Sequence, residues 1–229
     1  QTPIIILSDL DLGMNDNMSE PLAWDESRTY ERGKVLTTDQ LEAMEERFGR
    51  YLDVDGDAIP FRTYPGTHPT KGAFFTRGTS RDEYAIYTES VDVYVANMQR
   101  LERKWETAKS YVPAPEITLS GKGSTDIGFI YYGTSNYATN EALEIMAKKG
   151  VSIDAMRVRA FPFNDSVREF IDQHEVVFVL DQNRDAQMRT LLINELEVDP
   201  ARLISLTHYD GMPVTARFIE AAVLEHLNK

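Results

Sequence analysis

Cysteine, a surplus of positive charge and long apolar runs are all missing from this chain, and each absence narrows what it can do. Without a cysteine, its 229 residues form no disulfide, supply no catalytic thiol and offer no thiolate to an iron–sulfur cluster. Redox metal chemistry associated with it would have to sit on a partner. The formal charge of −13 repels a phosphate backbone, so nucleic acid is excluded as a partner unless a local basic patch exists, and the sequence contains none. No apolar run approaches the ~20 residues of a membrane span. The run PIIIL near the start is too short, and lacks the basic flank, for a signal peptide. What is present is 42% hydrophobic and 27% charged, the composition of a globular protein in a length that suits one large domain or two modest ones. A reducing cytoplasm is the compartment these features fit.

The sequence opens with Gln1 and Thr2, then PIIILSDLDLG. Pro3 to Leu7 runs apolar without alternation and stops at a polar turn, the pattern of a strand buried on both faces of a parallel sheet. Such a strand needs neighbours, and the segments that follow do not supply them. Residues 1–14 are therefore expected to be the last strand of a domain whose earlier part lies outside the chain, which would then be a piece of a longer protein.

Residues 15–33 are polar and irregular. A short helix is predicted over 37–48, where Thr37 and Gln40 form a capping-box pair and Leu41, Met44 and Phe48 share a face. Residues 53–80 hold prolines and glycines throughout, which excludes a long regular element, while Phe61, Tyr64, Phe74 and Phe75 argue for an ordered, functional loop. A long helix follows over 90–111 with Ser90 as N-cap. Val91, Met98, Trp105 and Val112 recur every seven residues, with Tyr94, Leu101 and Ala108 between them, giving one apolar stripe. The stripe suits packing against a globular neighbour, or, in a sharper reading, a coiled coil.

Pro- and Gly-containing residues 113–126 read as a linker, so 15–112 is a connecting segment and 127–229 a separate domain. In that domain strands at 127–132, 153–159, 176–180 and 203–207 alternate with helices at 139–149, 165–173, 186–196 and 214–227. Alternation of this kind predicts an α/β fold, a parallel sheet with helices on both faces.

Ligands of such sheets gather at the carboxyl ends of the strands. Those ends carry Ser135 and Asn136, Asn164, and Asn183 with Arg184. Two of these groups lead into helix N-termini, whose free amides favour an anion; helix capping by Thr139, Asn164 and Asp185 is the plainer reading. GKGSTD at Gly121 precedes a strand instead of joining a strand to a helix, so it is no phosphate cradle. Asp53, Asp55 and Asp57 alternate as in a calcium loop, but Ala58 and Tyr64 stand where glycine and glutamate are needed. No metal is assigned there; a hydrogen-bonded turn or a mobile acidic loop is expected. His68, between two prolines and near Lys71, Thr67 and Arg62, could bind a carboxylate or phosphate or donate a proton. The same segment could simply be tied down by hydrogen bonds. A receiver domain is a weak reading, because Gly133 to Asn136 carries no acidic pair and Asp181 alone does not suffice; His174 and His226 are assigned no role.

PIIILSDLDLG, DGDAIPFRTYPGTHPTKGAFFTRGTSRDEYA, IGFIYYGTS, RVRAFPFND, VFVLDQNRDAQMRTLL and HYDGMPVTARFI together resemble the C-terminal portion of the alpha subunit of 2-oxoacid:ferredoxin oxidoreductases, most of all the 2-oxoglutarate type. The resemblance runs in one order over essentially the whole chain. It implies a thiamine-diphosphate enzyme that interconverts 2-oxoglutarate, coenzyme A and oxidised ferredoxin with succinyl-CoA, carbon dioxide and reduced ferredoxin, in some members in the direction of the reductive TCA cycle. It further implies a cysteine-containing beta subunit carrying diphosphate, Mg2+ and [4Fe–4S] ligands, ferredoxin contacted through that subunit, and a second alpha–beta pair. Residues 1–14 would close the pyrimidine-binding domain, and 127–229 would be the transketolase C-terminal-like domain. The family's pyrimidine-activating glutamate and substrate-binding Arg and Thr have no counterpart in this sequence. The loop 53–80 would form the active-site rim, with Asp57 matching its acidic residue as a gating or polar contact. A non-catalytic assembly or binding module is the alternative.

Overall fold

The computed structural model describes residues 5–14, 16, 18–21, 23–29, 31–121 and 125–228. In chain order its elements are α1 (Leu10–Met14), α2 (Thr38–Ala43), α3 (Val91–Ala108), β1 (Glu116–Thr118), β2 (Ile127–Tyr132), α4 (Asn136–Lys148), β3 (Asp154–Val158), α5 (Asp165–Asp172), β4 (Val176–Asp181), α6 (Gln187–Leu196), β5 (Leu203–Thr207) and α7 (Ala216–Leu227). They form two compact units: Gln1–Ser19 with Val112–Lys229, and Glu20–Tyr111.

The first unit is built on a five-stranded sheet of order β1-β3-β2-β4-β5. Strands β2 to β5 run parallel, as the alternating pattern predicts, and β1 adds an antiparallel edge against β3. Successive side chains of a strand point to opposite faces, and here both faces are covered. Phe129, Phe178 and Leu180 pack with Met146 of α4 and with Ile219 and Val223 of α7. On the other face Ile130, Met156, Val177 and Val179 meet Phe170 and Ile171 of α5 and Leu192 of α6. This two-sided cover explains the unbroken apolar run of β4. Each large side chain so enclosed contributes roughly 1.5–3 kcal/mol. From β2 the chain moves outward to β3 and then crosses back to β4 on the other side, which opens a crevice at the carboxyl ends of β2 and β4.

Two expectations are corrected in this unit. The segment 113–126 is not a plain linker, because it contains β1, and the Ser120 amide donates to Asp154 Oδ1 at 2.7 Å. Residues 5–8 form no strand. Ile5, Ile6 and Leu7 are 81%, 89% and 88% exposed, and Pro3 and Ile4 lie outside the described residues. A strand of this kind is held by ladder bonds and cover on both faces, and among the described residues no strand pairs with it. The chain instead turns into α1, where Leu12 N donates to Asp9 Oδ1 at 2.9 Å.

In the second unit the capping box forms as read: Gln40 N donates to Thr37 Oγ1 at 3.3 Å and Thr37 N to Gln40 Oε1 at 2.9 Å. Helix α2 nevertheless stops at Ala43, short of the predicted 48. Its end is held by Lys71, whose Nζ donates to the carbonyls of Glu42 and Met44 at 2.9 Å each. Leu36, Leu41 and Phe48 make a small core with Met44 and Phe61. Helix α3 is likewise shorter than 90–111, and Ser90 occupies its N-cap position without a side-chain bond. Its orientation is unusual for an amphipathic helix. Polar residues hold it to its own unit: Arg100 is 9% exposed, Asn97 donates to Arg81 O, and Thr107 Oγ1 donates to Asp57 O at 2.7 Å. The apolar stripe of Val91, Tyr94, Met98, Leu101 and Trp105 is exposed.

Candidate functional site

The loop 53–80 is an ordered, hydrogen-bonded structure, the first of the two readings its aspartates allowed. Arg62 N donates to Lys34 O at 2.8 Å and Leu36 N to Arg62 O at 2.9 Å, a parallel bridge that fixes the loop to the segment before α2. Asp53 Oδ1 accepts from the amides of Gly56 and Ala58 at 3.0 Å each. The turn requires left-handed backbone at Gly56, φ 84°, and at the buried Ala58, φ 64°. Alanine there carries a steric cost that glycine would avoid. Ala58 O in turn accepts from Arg100 Nη1 at 3.3 Å.

Asp53, Asp55 and Asp57 bring carboxylate oxygens within 4.8 Å of one another. Their convergence is already served by a cation of the chain. Lys34 Nζ lies 2.7 Å from Asp55 Oδ1 and 2.6 Å from Asp57 Oδ2, and Arg103 lies 3.5 Å from Asp53. The hydrogen bond from Lys34 holds the Asp57 carboxyl below the ordinary carboxylate range, against a smaller upward push from burial. Burial pulls the Lys34 ammonium down, but its bonds to Asp55 and Asp57 outweigh that and raise it overall. Asp57 Oδ1 also accepts from Ile59 N at 2.8 Å. Asp57 is thus a charged acceptor in a fixed orientation at neutral pH, suited to contact and unsuited to take a proton.

The other residues singled out in the loop are each committed locally. His68 Nδ1 accepts from the amides of Thr70 and Lys71 at 3.1 and 2.9 Å, which leaves the ring proton on Nε2. Lys71 caps α2, and Thr67 Oγ1 donates to Tyr64 O at 2.9 Å. Arg62 Nη2 donates to Arg32 O, and its guanidinium lies 5.8 Å from the Tyr64 ring centroid. These contacts match a segment tied down by hydrogen bonds, and they do not converge on one ligand position.

At the crevice of the sheet unit, Ser135 is buried and Asn136 Oδ1 accepts from Tyr131 OH at 3.4 Å. Gln182 Nε2 bridges Thr134 Oγ1 and Ser135 Oγ at 3.2 and 3.3 Å, and Thr134 Oγ1 donates to Asp9 Oδ2 at 2.8 Å. Asn164 caps α5 as read, accepting from Ser166 N at 3.1 Å. The other two expected caps are not used. Thr139 lies inside α4, and Asp185 pairs with Arg184 at 2.8 Å. Helix α6 is capped by Asp181, whose Oδ1 accepts from Met188 N at 3.0 Å, Asn183 Nδ2 at 2.9 Å and Tyr132 OH at 3.1 Å. Asn183 Oδ1 accepts from Gln187 N at 3.2 Å. The cap lies seven residues before the amide it accepts from, beyond the reach of the short-range capping patterns, so the path of the intervening turn decides it. Burial, and then the charge of Asp181, push the Tyr132 hydroxyl up to about 12.

The two units define an α/β protein with a doubly wound, mostly parallel sheet and an ordered loop with three clustered aspartates on a separate unit. No family model matches the chain. It is similar to subunit alpha of 2-oxoacid:ferredoxin oxidoreductase 2 from Aeropyrum pernix, with 26% identity over 227 residues, 97% of this chain and 34% of that protein. The chain spans about a third of the length of this curated relative. The solved 2-oxoglutarate:ferredoxin oxidoreductase from Magnetococcus marinus, with 2-oxoglutarate, coenzyme A and succinyl-CoA bound, matches 80% of this chain and 31% of that chain at TM-score 0.70 and 19% identity, which shows a shared fold. The alpha chain of a probable 2-oxoacid ferredoxin oxidoreductase from Thermoplasma acidophilum overlaps 50% of this chain at 22% identity, but its TM-score of 0.34 supports no structural comparison. The resemblance to 2-oxoacid:ferredoxin oxidoreductase alpha subunits, read first from motifs, is thereby borne out over nearly the whole chain.

Proposed function

We propose that the chain is part of the alpha subunit of a thiamine-diphosphate-dependent 2-oxoacid:ferredoxin oxidoreductase in the cytoplasm. Its reaction interconverts 2-oxoglutarate, coenzyme A and oxidised ferredoxin with succinyl-CoA, carbon dioxide and reduced ferredoxin. The observation that carries this reading is the similarity to the Aeropyrum pernix subunit across 97% of the chain. The choice of 2-oxoglutarate rests on the motif resemblance and on the shared fold with the Magnetococcus marinus enzyme. In this reading 127–229 is the transketolase C-terminal-like domain and the loop 53–80 lies at the rim of the active site.

The donor set of the chain does not fit an iron–sulfur cluster, since it has no cysteine. Its carboxylate triad is already paired with Lys34 and Arg103. By the family resemblance, thiamine diphosphate, Mg2+ and [4Fe–4S] are assigned to other segments and to a cysteine-containing beta subunit. No chemical step is assigned to a residue of this chain. Asp57 is proposed as a polar contact at the rim, its carboxylate held in place by Lys34.

The test is purification of the full-length subunit with its beta partner, followed by assay of 2-oxoglutarate- and CoA-dependent viologen or ferredoxin reduction. Failure of the purified pair to bind thiamine diphosphate would end the enzyme reading in favour of an assembly module. Within an active pair, Asp57→Ala should change kcat or KM while circular dichroism stays native. Unchanged kinetics would remove Asp57 from the rim.

A further inference from the structure

Helix α3 carries the exposed stripe on one face and holds its own unit with polar groups on another, and one cleft joins the two. This cleft, about 210 Å³ in volume, is lined by Ser80, Arg81 and Arg100 beside Tyr94, Met98 and Leu101. Among the described residues no acidic one lines it. Three guanidiniums gather around the Tyr51 ring at its side: Arg50, Arg81 and Arg100, at 5.3, 5.6 and 5.9 Å from the ring centroid. Acidic side chains lie in the adjoining cavity, where Asp53, Glu83 and Asp92 stand with Tyr51 and Arg100, but they do not line the cleft itself. Arg81 is held in place by Tyr51 OH at 3.2 Å and Gly78 O at 3.0 Å.

Two donors at the cleft also lack partners. Arg100 is 9% exposed and makes one hydrogen bond, while its Nε is buried without a partner, as is Ser80 Oγ. A buried unpaired donor costs about 1–3 kcal/mol, and native structures hold few of them. Burial weakens the hold of Arg100 on its proton, and Asp53 acts in the opposite direction. Exposed apolar side chains around a desolvated arginine pocket are the composition of the centre of a protein–protein contact.

We propose that α3 and this cleft form a docking surface for a different protein chain, which covers the Tyr94–Met98–Leu101 stripe with apolar side chains and inserts an aspartate or glutamate side chain toward Arg81 and Arg100. The occupant is identified by charge and size. A basic cleft of this volume, rimmed by apolar residues on a regular helix, fits one carboxylate side chain set in an apolar surface. The inference relies on the subunit reading only in expecting a partner chain; loss of oxidoreductase activity would overturn that reading and leave this one standing.

The experiment places a benzophenone photo-cross-linker at Met98, which is 43% exposed, in the full-length protein within its native complex. Illumination should join it to a second, different chain, and the cross-linked peptide should contain an aspartate or glutamate. Met98→Glu should weaken the complex at least tenfold, measured by sedimentation, because it puts a charge into the apolar contact. Arg81→Ala should also weaken it about tenfold, as arginine anchors do, with the stripe still able to cross-link. Cross-links confined to the same chain, cross-links to a second copy of it, or the absence of any would overturn the proposal. Unchanged affinity in Arg81→Ala would overturn the carboxylate contact.

Discussion

Removal of the Asp181 carboxylate should destabilise the sheet unit more than any other single change at the crevice. The side chain is fully buried, and its Oδ1 accepts from Tyr132 OH, Asn183 Nδ2 and Met188 N at 2.9–3.1 Å, while Arg189 N lies 3.4 Å from Oδ2. Asp181→Ala deletes an N-terminal helix cap, which costs about 1–2 kcal/mol. It also strands the Tyr132 and Asn183 donors, at about 1–3 kcal/mol each before water or side-chain rotation recovers part of that. The expected loss is therefore ~3–5 kcal/mol, a large share of the roughly 5–15 kcal/mol that holds a domain together. Asp181→Asn keeps one oxygen for the three shorter bonds and turns an amide group on the Arg189 N–H, for an expected loss of ~1–2 kcal/mol. Both tryptophans, Trp24 and Trp105, belong to the other unit. Urea unfolding should therefore be followed by far-ultraviolet circular dichroism and by hydrogen exchange of the β4 amides, not by tryptophan fluorescence. A loss below about 1 kcal/mol in Asp181→Ala would refute the capping argument. Equal losses in the two variants would show that charge, not acceptor geometry, is what α6 requires.

Three further changes follow from contacts of the same kind. A Cβ on Gly128 would lie 3.0 Å from Phe170 Cε1 and 3.1 Å from both His174 Cγ and Val177 Cγ2. Gly128→Ala should thus destabilise by about 1–3 kcal/mol through overpacking, measured by the same urea titration; a neutral result would mean that α5 moves freely on the sheet. Lys71→Met removes both Nζ bonds to the end of α2, with an expected loss of about 1 kcal/mol and faster hydrogen exchange over 38–43; unchanged exchange would refute the cap. The Asp57 carboxyl is depressed in the folded chain, so the stabilisation it draws from Lys34 is present above the ordinary value of 3.8 and is lost as pH falls through the lower folded value. Carboxyl carbon NMR should show Asp57 titrating below 3.8 and moving up in Lys34→Met; a midpoint that does not move would refute the pairing.

Much of the sheet unit was legible because its signals are local. Apolar runs of strand length separated by helical periodicity lead to a covered parallel sheet, and Asn164 and the Thr37–Gln40 pair are caps visible within four residues. The antiparallel β1 was hidden because EIT is short and exposed, and its pairing with residues 155–157 of β3 depends on a partner far along the chain. The opening run PIIIL was expected to find its neighbours outside the chain. Its local pattern is that of a buried strand, yet residues 5–8 find no ladder among the described residues.

The loop residues divide in the same way. Its prolines, glycines and aromatics marked 53–80 as irregular but ordered, and Ala58 and Tyr64 at the ligand-loop positions argued against a calcium loop. The tertiary structure placed Lys34 between Asp55 and Asp57, twenty-one residues upstream of the first, and turned His68 and Lys71 toward neighbouring backbone. Sequence by itself determined the fold class, the absence of cysteine chemistry and the resemblance over the whole chain, because all three reside in residue identity and short-range order. Only the tertiary structure decided that α3 faces its unit with Asn97, Arg100 and Thr107 and leaves its apolar stripe exposed. Periodicity shows that a helix has an apolar face; which face its own unit covers depends on the polar partners that distant segments bring to it.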